Sequence, residues 1–329
     1  MSVSDAERHD RLVLSLIFEP GEPVVADLIA RYGASETLAL VHDDLVAADV
    51  ITDAGERLPQ IRPDGVLRHA EQIGARFVVP GDEEWPEQLA DLAHAGRLSS
   101  RGGVPIGLWV KGRPLHELVP RVAVVGSRAA TTYGTNAAGL IAAELAAAGW
   151  VVMSGGAYGI DEAAHRAALA VGAPSVVALA HGLDRVYPVG NEELVAECSR
   201  EGALVSELAP GASPMRVRFL SRNRVIAAMS AGTVVVEAGT RSGALNTAHW
   251  TTRLSRPLLA VPGPASSAVS AGTHDLIRSG AAVLATTGAE VLEVVDATGA
   301  SLVEPPRAPE GRRDRLDPRA RRLLEAVPV

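Results

Sequence analysis

At 329 residues, 47% hydrophobic and 21% charged, the chain is long enough for two domains, can bury a large core and is not disordered. A single cysteine, Cys198, excludes an internal disulfide framework and a multi-cysteine metal site, and it fits a reducing compartment. The polar start MSVSDAERHD lacks a signal-peptide core, and no run of about 18 apolar residues is present, so a cytoplasmic location with no membrane partner is expected. The net charge of −8 argues against a nucleic-acid partner only until its distribution is read. Residues 1–115 carry 19 acidic and 11 basic side chains, residues 116–300 carry 15 and 13, and residues 301–329 carry 5 and 7. The acidity sits in the first third, and binding answers to local potential rather than to the total.

Residues 8–48 read as short helices. Leu12, Leu14, Leu16 and Ile17 precede a Pro20-Gly21 break, a second helical period runs to about Gly33, and Ser35 is a candidate cap for a third helix. A helix-hairpin-helix-like module (1–75 with its connector) and a plain packing bundle fit equally. Residues 49–115, punctuated by prolines, read as a connector with one short strand at 107–110. From 121 short apolar runs alternate with helices: strands at 121–125, 150–153, 175–179, 203–206, 233–237, 257–261 and 282–284, helices near 134–148 and 160–171. Such runs are buried on both faces, which predicts an α/β fold, a doubly wound, mostly parallel Rossmann-like sheet over 76–298. Residues 299–315 read as a linker. Residues 316–329 open a helix with Asp317 as N-cap and Pro318 in its first turn, the start of a short or cut-off final unit.

In an open parallel sheet, ligands bind beyond the carboxyl ends of the strands. Three ends here are rich in glycine and small polar residues: Gly126-Ser127-Arg128, the run from Ser154-Gly155-Gly156 to Asp161, and Glu237 to Ser242-Gly243. Their N–H groups, with a helix N-terminus behind each, suit phosphate; the same glycines also serve as plain tight turns. No P-loop and no G-x-G-x-x-G follows the first strand, so no nucleotide cofactor is expected. Residues 215–224 hold four arginines, no acid and Phe219. Arginine forks onto phosphate and a ring stacks a base, although a solvated basic stretch reads the same way. Asp161 and His165, four apart on one helix, have acid–base spacing, but a cap and a packed histidine are the commoner roles. Asp184, Tyr187 and Asn191 are candidate pocket-lining residues, with no nucleophile–base pair among them.

These motifs together resemble the DNA-processing protein DprA (Smf) family. The resemblance runs in order over about 107–295, through Gly126-Ser127-Arg128, Ser154 to Asp161 with His165, Gly182-Leu183-Asp184 to Asn191, Phe219 with Arg222-Asn223-Arg224, Glu237 with Ser242-Gly243, and Val261-Pro262-Gly263. It implies a non-enzymatic single-stranded DNA-binding protein that protects incoming strands in natural transformation and loads the recombinase RecA on them as a homodimer, without cofactor or metal. Carried over by motif, Ser127, Arg128, Gly155 and Gly156 would form the pocket, and Arg222, Asn223 and Arg224 would line a basic strip. Leu220 and Ser221 stand where the family often has proline and a basic residue, and Tyr158 stands where an arginine is common. Binding is expected to be salt-sensitive and sequence-tolerant, and weaker for duplex, whose bases cannot stack on Tyr158 or Phe219. The competing expectations are a phosphoribohydrolase of the Rossmann-like type acting on nucleotides and a scaffold that binds a phosphorylated signal.

Overall fold

The structure, a computed structural model, describes residues 3–43, 61–297, 299–303 and 316–325. Ser4 caps the first helix, α1 (Asp5–Ile17), by accepting from the Glu7 N–H at 3.2 Å. Leu12, Leu14 and Ile17 line its buried face. The second, α2 (Pro23–His42), bends where the sequence expected a stop: Gly33 has φ 82° and interrupts the helix. Ser35 caps nothing there; its hydroxyl donates to Asp10 of α1.

Residues 49–60 of the expected connector lie outside the described residues, and the rest of it builds sheet. After α3 (Pro63–Gln72), β1 (Ala75–Val78) pairs antiparallel with β4 (Leu108–Gly112), and between them lies a small hairpin, β2 (Arg97–Leu98) with β3 (Arg101–Gly102). Phe77 on β1 packs on Trp109 of β4 with ring centroids 4.9 Å apart, which fixes this edge against the main body.

The alternation expected from residue 121 is present: β5 (Arg121–Val125), α4 (Thr132–Ala147), β6 (Val151–Ser154), α5 (Ile160–Ala170), β7 (Ser175–Ala178), α6 (Glu192–Glu201), β8 (Ala203–Ser206), α7 (Arg216–Met229), β9 (Thr233–Val235), α8 (Ala244–Arg253), β10 (Leu258–Ala260), α9 (Ala271–Arg278), β11 (Val283–Leu284) and α10 (Gly288–Val295). The sheet order is β1-β4-β8-β7-β6-β5-β9-β10-β11, parallel from β8 to β11. Ile141, Leu145, Ala164 and Val291 pack one face; Ile226, Met229, Ala248 and Trp250 pack the other. The sheet is therefore doubly wound, as expected. The direction of winding reverses between β5 and β9, and a crevice for a ligand opens at such a reversal.

Most of the expected 299–315 linker lies outside the described residues. A last helix, α11 (Pro318–Glu325), is capped as expected: the Asp317 carboxylate accepts from the N–H groups of Arg319 and Ala320. No described helix is long and apolar enough to cross a membrane.

Candidate nucleic-acid interface

The three loops expected to meet a ligand do lie at the carboxyl ends of β5, β6 and β9, but two of them already hold a carboxylate. At the reversal point, Glu237 follows β9 and is 1% exposed. Its two oxygens accept from the backbone N–H of Thr131 at 2.9 Å and the Thr131 hydroxyl at 2.6 Å, at the N-terminus of α4. A Cβ on Gly134, in the first turn of α4, would lie 2.3 Å from that carboxylate, so glycine makes the space it occupies. With no acid of its own in that turn, α4 takes its N-terminal counter-charge from Glu237. In the second loop, the buried Asp161 carboxylate accepts from the N–H groups of Gly155 at 3.1 Å and Ala157 at 3.4 Å. Burial pushes the Asp161 carboxyl up, with the Arg222 guanidinium pulling the other way. The Gly155 N–H expected to cradle phosphate is thus committed to Asp161, which corrects that part of the sequence reading.

The cations come from side chains. Arg222 on α7 enters the sheet edge and its Nη1 donates to the Gly155 carbonyl at 2.8 Å and to the Ala178 carbonyl. A Cβ on Gly155 would sit 2.1 Å from this Nη1; the glycine is needed for the close approach. Burial, with Arg128 nearby, lowers the Arg222 pKa to about 10, and Asp161 opposes the fall, so the group stays charged at neutral pH. Arg128, exposed at the end of the first loop, lays its guanidinium 4.9 Å from the Phe219 ring centroid. Arg222 lies 5.9 Å from the same ring on the preceding turn of α7. Phe219 thereby joins the first loop to α7, whose Arg222 reaches the second loop.

The other expected residues separate. Asn223 ties α7 to the third loop, its amide donating to the Gly243 carbonyl and the Asn246 side chain, both at 3.3 Å. Ser127 and Ser242 each accept from the backbone N–H two residues on, Ala129 and Ala244, leaving each hydroxyl proton to donate. Gly126 lies against the Ile160 side chain, in helix packing. Gly156 has φ 67°, and its carbonyl accepts from the Asn191 amide at 3.1 Å.

Arg224 does not belong to the strip. It is fully buried and forks onto Glu207, with Nη2 2.7 Å from Oε1. Arg218 likewise forks onto Glu19 of the N-terminal module at 2.6 and 2.8 Å. Helical spacing turns 222 toward the loops and 224 away from them, a rotation that a run of arginines in sequence conceals.

His165 is fully buried, 2.7 Å from the Ser175 hydroxyl, and burial lowers its pKa to about 3. It is a neutral packed residue, the commoner of the two sequence readings. Burial pushes the Cys198 thiol up to about 12, the state of an unreactive cysteine.

Residues 76–296 match the family of DNA recombination-mediator protein A. The chain is 42% identical to a protein assigned in Mycobacterium tuberculosis as a DNA processing protein DprA, over 96% of this chain and 82% of that one. It is 33% identical to the DNA processing protein DprA of Streptococcus pneumoniae, over 77% of this chain and 88% of that one. The X-ray structure of the Streptococcus pneumoniae protein superposes with a TM-score of 0.72 at 29% identity, over 90% of this chain and all of that one. A structure of the Helicobacter pylori protein, described for its single-stranded DNA binding mode, superposes with a TM-score of 0.57 at 26% identity, over 67% and 94% of the two chains. The fold, the ordered motifs and these likenesses agree: the chain belongs to the DNA recombination-mediator protein A family, the DprA/Smf proteins.

Proposed function

We propose that the chain binds single-stranded DNA along the carboxyl edge of the parallel sheet, with Arg128 and Arg222 on phosphates and Phe219 between them. The observation that carries this is the meeting of two arginines from different elements on one partly exposed ring. Cations with an aromatic face suit a polyanion whose bases are unpaired. The Helicobacter pylori relative described as binding single strands supports the reading. Phosphates carry no base information, so the binding is sequence-tolerant. Two neutralised phosphates alone give a log–log salt slope of about −1.4.

The site is one of binding and not of catalysis in this reading. Asp161 and Glu237 are committed to backbone N–H groups, and His165 is buried and neutral. The Glu237–Thr131 contact disfavours the nucleotide-hydrolase alternative, because both oxygens of the glutamate such an enzyme would use are already held by Thr131. Incubation with nucleoside monophosphates is expected to release no free base.

The proposal extends to delivery of the bound strand to RecA and to a homodimer that places two such edges on one strand and gains avidity without new contacts. The family's description as a recombination mediator supports the delivery step. The binding step is tested by anisotropy of a labelled oligo-dT strand at two salt concentrations, with matched duplex as competitor. Salt-weakened binding that duplex fails to displace is expected; absence of binding at low salt contradicts the proposal. Seeding of RecA filaments on strands coated with single-strand-binding protein tests the delivery step.

A further inference from the structure

Two tyrosines at this edge stand partly in solvent, their hydroxyls unpaired among the described residues. Tyr158 and Tyr187 are each 46% exposed, and neither hydroxyl makes a hydrogen bond among the described residues, whereas Tyr133 donates to the Pro262 carbonyl. The chain is poor in such rings, with four tyrosines and three phenylalanines. Phe18 and Phe77 are buried in core clusters, so Phe219 is the phenylalanine left at the surface, with Tyr187 against it and Tyr158 resting on the loop that carries Tyr187. The Tyr187 ring lies 5.8 Å from Phe219 at an interplanar angle of 55°. Tyr158 rests on the next turn of the same loop: a Cβ on Gly190 would be 2.6 Å from its hydroxyl oxygen. Val189, 72% exposed, and Met215, 50% exposed, continue the apolar rim.

Charge decides what such a patch is for. Arg128 and Arg222 border it, the carboxylates of Asp161 and Glu237 are buried and turned to backbone N–H groups, and Asp184 and Glu162 are held by the Gly211 N–H and by Arg166. An exposed aromatic surface flanked by cations fits a ligand with flat faces and negative charge. Phosphates have no use for the rings, but unpaired bases do.

We infer that Tyr158 and Tyr187, with Phe219, form a stacking platform for bases of the strand whose phosphates Arg128 and Arg222 hold. The inference rests on the single-strand proposal above and adds to it a contribution from the bases themselves. Tyr187 carries as much of it as Tyr158, although in sequence it reads only as a pocket-lining residue.

The test uses the full chain and labelled strands of equal length: oligo-dT, oligo-dA and a strand of abasic sugar-phosphate units. The abasic strand keeps every phosphate and removes every stacking face. The native protein is expected to bind it on the order of ten-fold or more weakly than oligo-dT at the same salt. The Tyr158→Ala, Tyr187→Ala variant, which keeps only Phe219 of the platform, is expected to lose most of the preference for oligo-dT over the abasic strand and to bind the abasic strand unchanged. Tyr→Phe at both positions is expected to restore native behaviour. Equal native affinity for oligo-dT and the abasic strand overturns the inference while leaving the single-strand proposal standing. A variant that weakens both strands equally, or that changes the sedimentation of the protein while keeping the preference for bases, also overturns it, the latter because the patch then joins copies of the chain. No binding of any strand removes the single-strand proposal and this inference together.

Discussion

Arg222 depends on the absence of one methyl group. A Cβ on Gly155 would lie 2.1 Å from its Nη1, so Gly155→Ala must expel the guanidinium from between the Gly155 and Ala178 carbonyls. A charge-assisted contact is worth about 1.5–3 kcal/mol, so strand affinity is expected to fall ten-fold or more in a titration at fixed salt. Unchanged affinity would mean that Arg222 has no part in binding. Arg224, two residues on, behaves differently. Its Glu207 partner is nearly as buried as itself, and removing one member of such a pair costs about 3–5 kcal/mol. Arg224→Ala is therefore expected to lower the urea midpoint sharply, and Arg224→Met with Glu207→Leu to recover most of it. A stable Arg224→Ala protein with weakened strand binding would return Arg224 to the DNA surface.

Helix α7 carries the arginines, and both its ends are held by distant residues. Arg121 donates to the Met229 carbonyl at 2.9 Å, and Arg256 donates to the carbonyls of Ala227 at 2.8 Å and Ser230 at 2.6 Å, so two cations satisfy a C-terminus that has no basic residue of its own. Near the other end, Arg218 is forked onto Glu19, 199 residues away in sequence. Glu19→Gln is expected to loosen the first turn of α7, seen as faster amide exchange there with the sheet unaffected; uniform exchange would show that the module does not brace the helix. The basic character of α7 was legible in sequence, but not which arginines face the strand, because their partners lie far along the chain. Glu237 shows the same limit: its partner Thr131 is 106 residues earlier, and nothing around Glu237 points there. Strands β5 to β10 were legible because burial on both faces leaves short apolar runs between helices. Strand β1 was not, since Ala75-Arg76-Phe77-Val78 sits among prolines and is fixed by pairing with β4.

Across the whole molecule, the buried histidine links stability to pH. Folding lowers the His165 pKa from an ordinary 6.5 to about 3, so below 6.5 the unfolded chain binds the proton that the folded one refuses. Stability is therefore complete above about 6.5 and is lost as pH falls toward 3. Between pH 7 and pH 5 the loss from this residue is about 2 kcal/mol. Urea unfolding at the two pH values is expected to show it in the native chain, and His165→Gln is expected to reduce it; equal pH dependence in both would contradict the account. Strand binding should barely change over this range, because Arg222, near 10, keeps its charge. Above about pH 9 the affinity is expected to decline as that group begins to titrate.

The central claim is that Arg128 and Arg222, brought together on Phe219, hold the strand. It is tested most directly by anisotropy titration of oligo-dT with the native chain, Arg128→Ala, and Arg128→Ala with Arg222→Ala, over a range of salt. A stepwise loss of affinity with a shallower salt slope at each step, in variants whose thermal unfolding remains cooperative, is the predicted result. Native affinity and native salt slope in the folded double variant would contradict it.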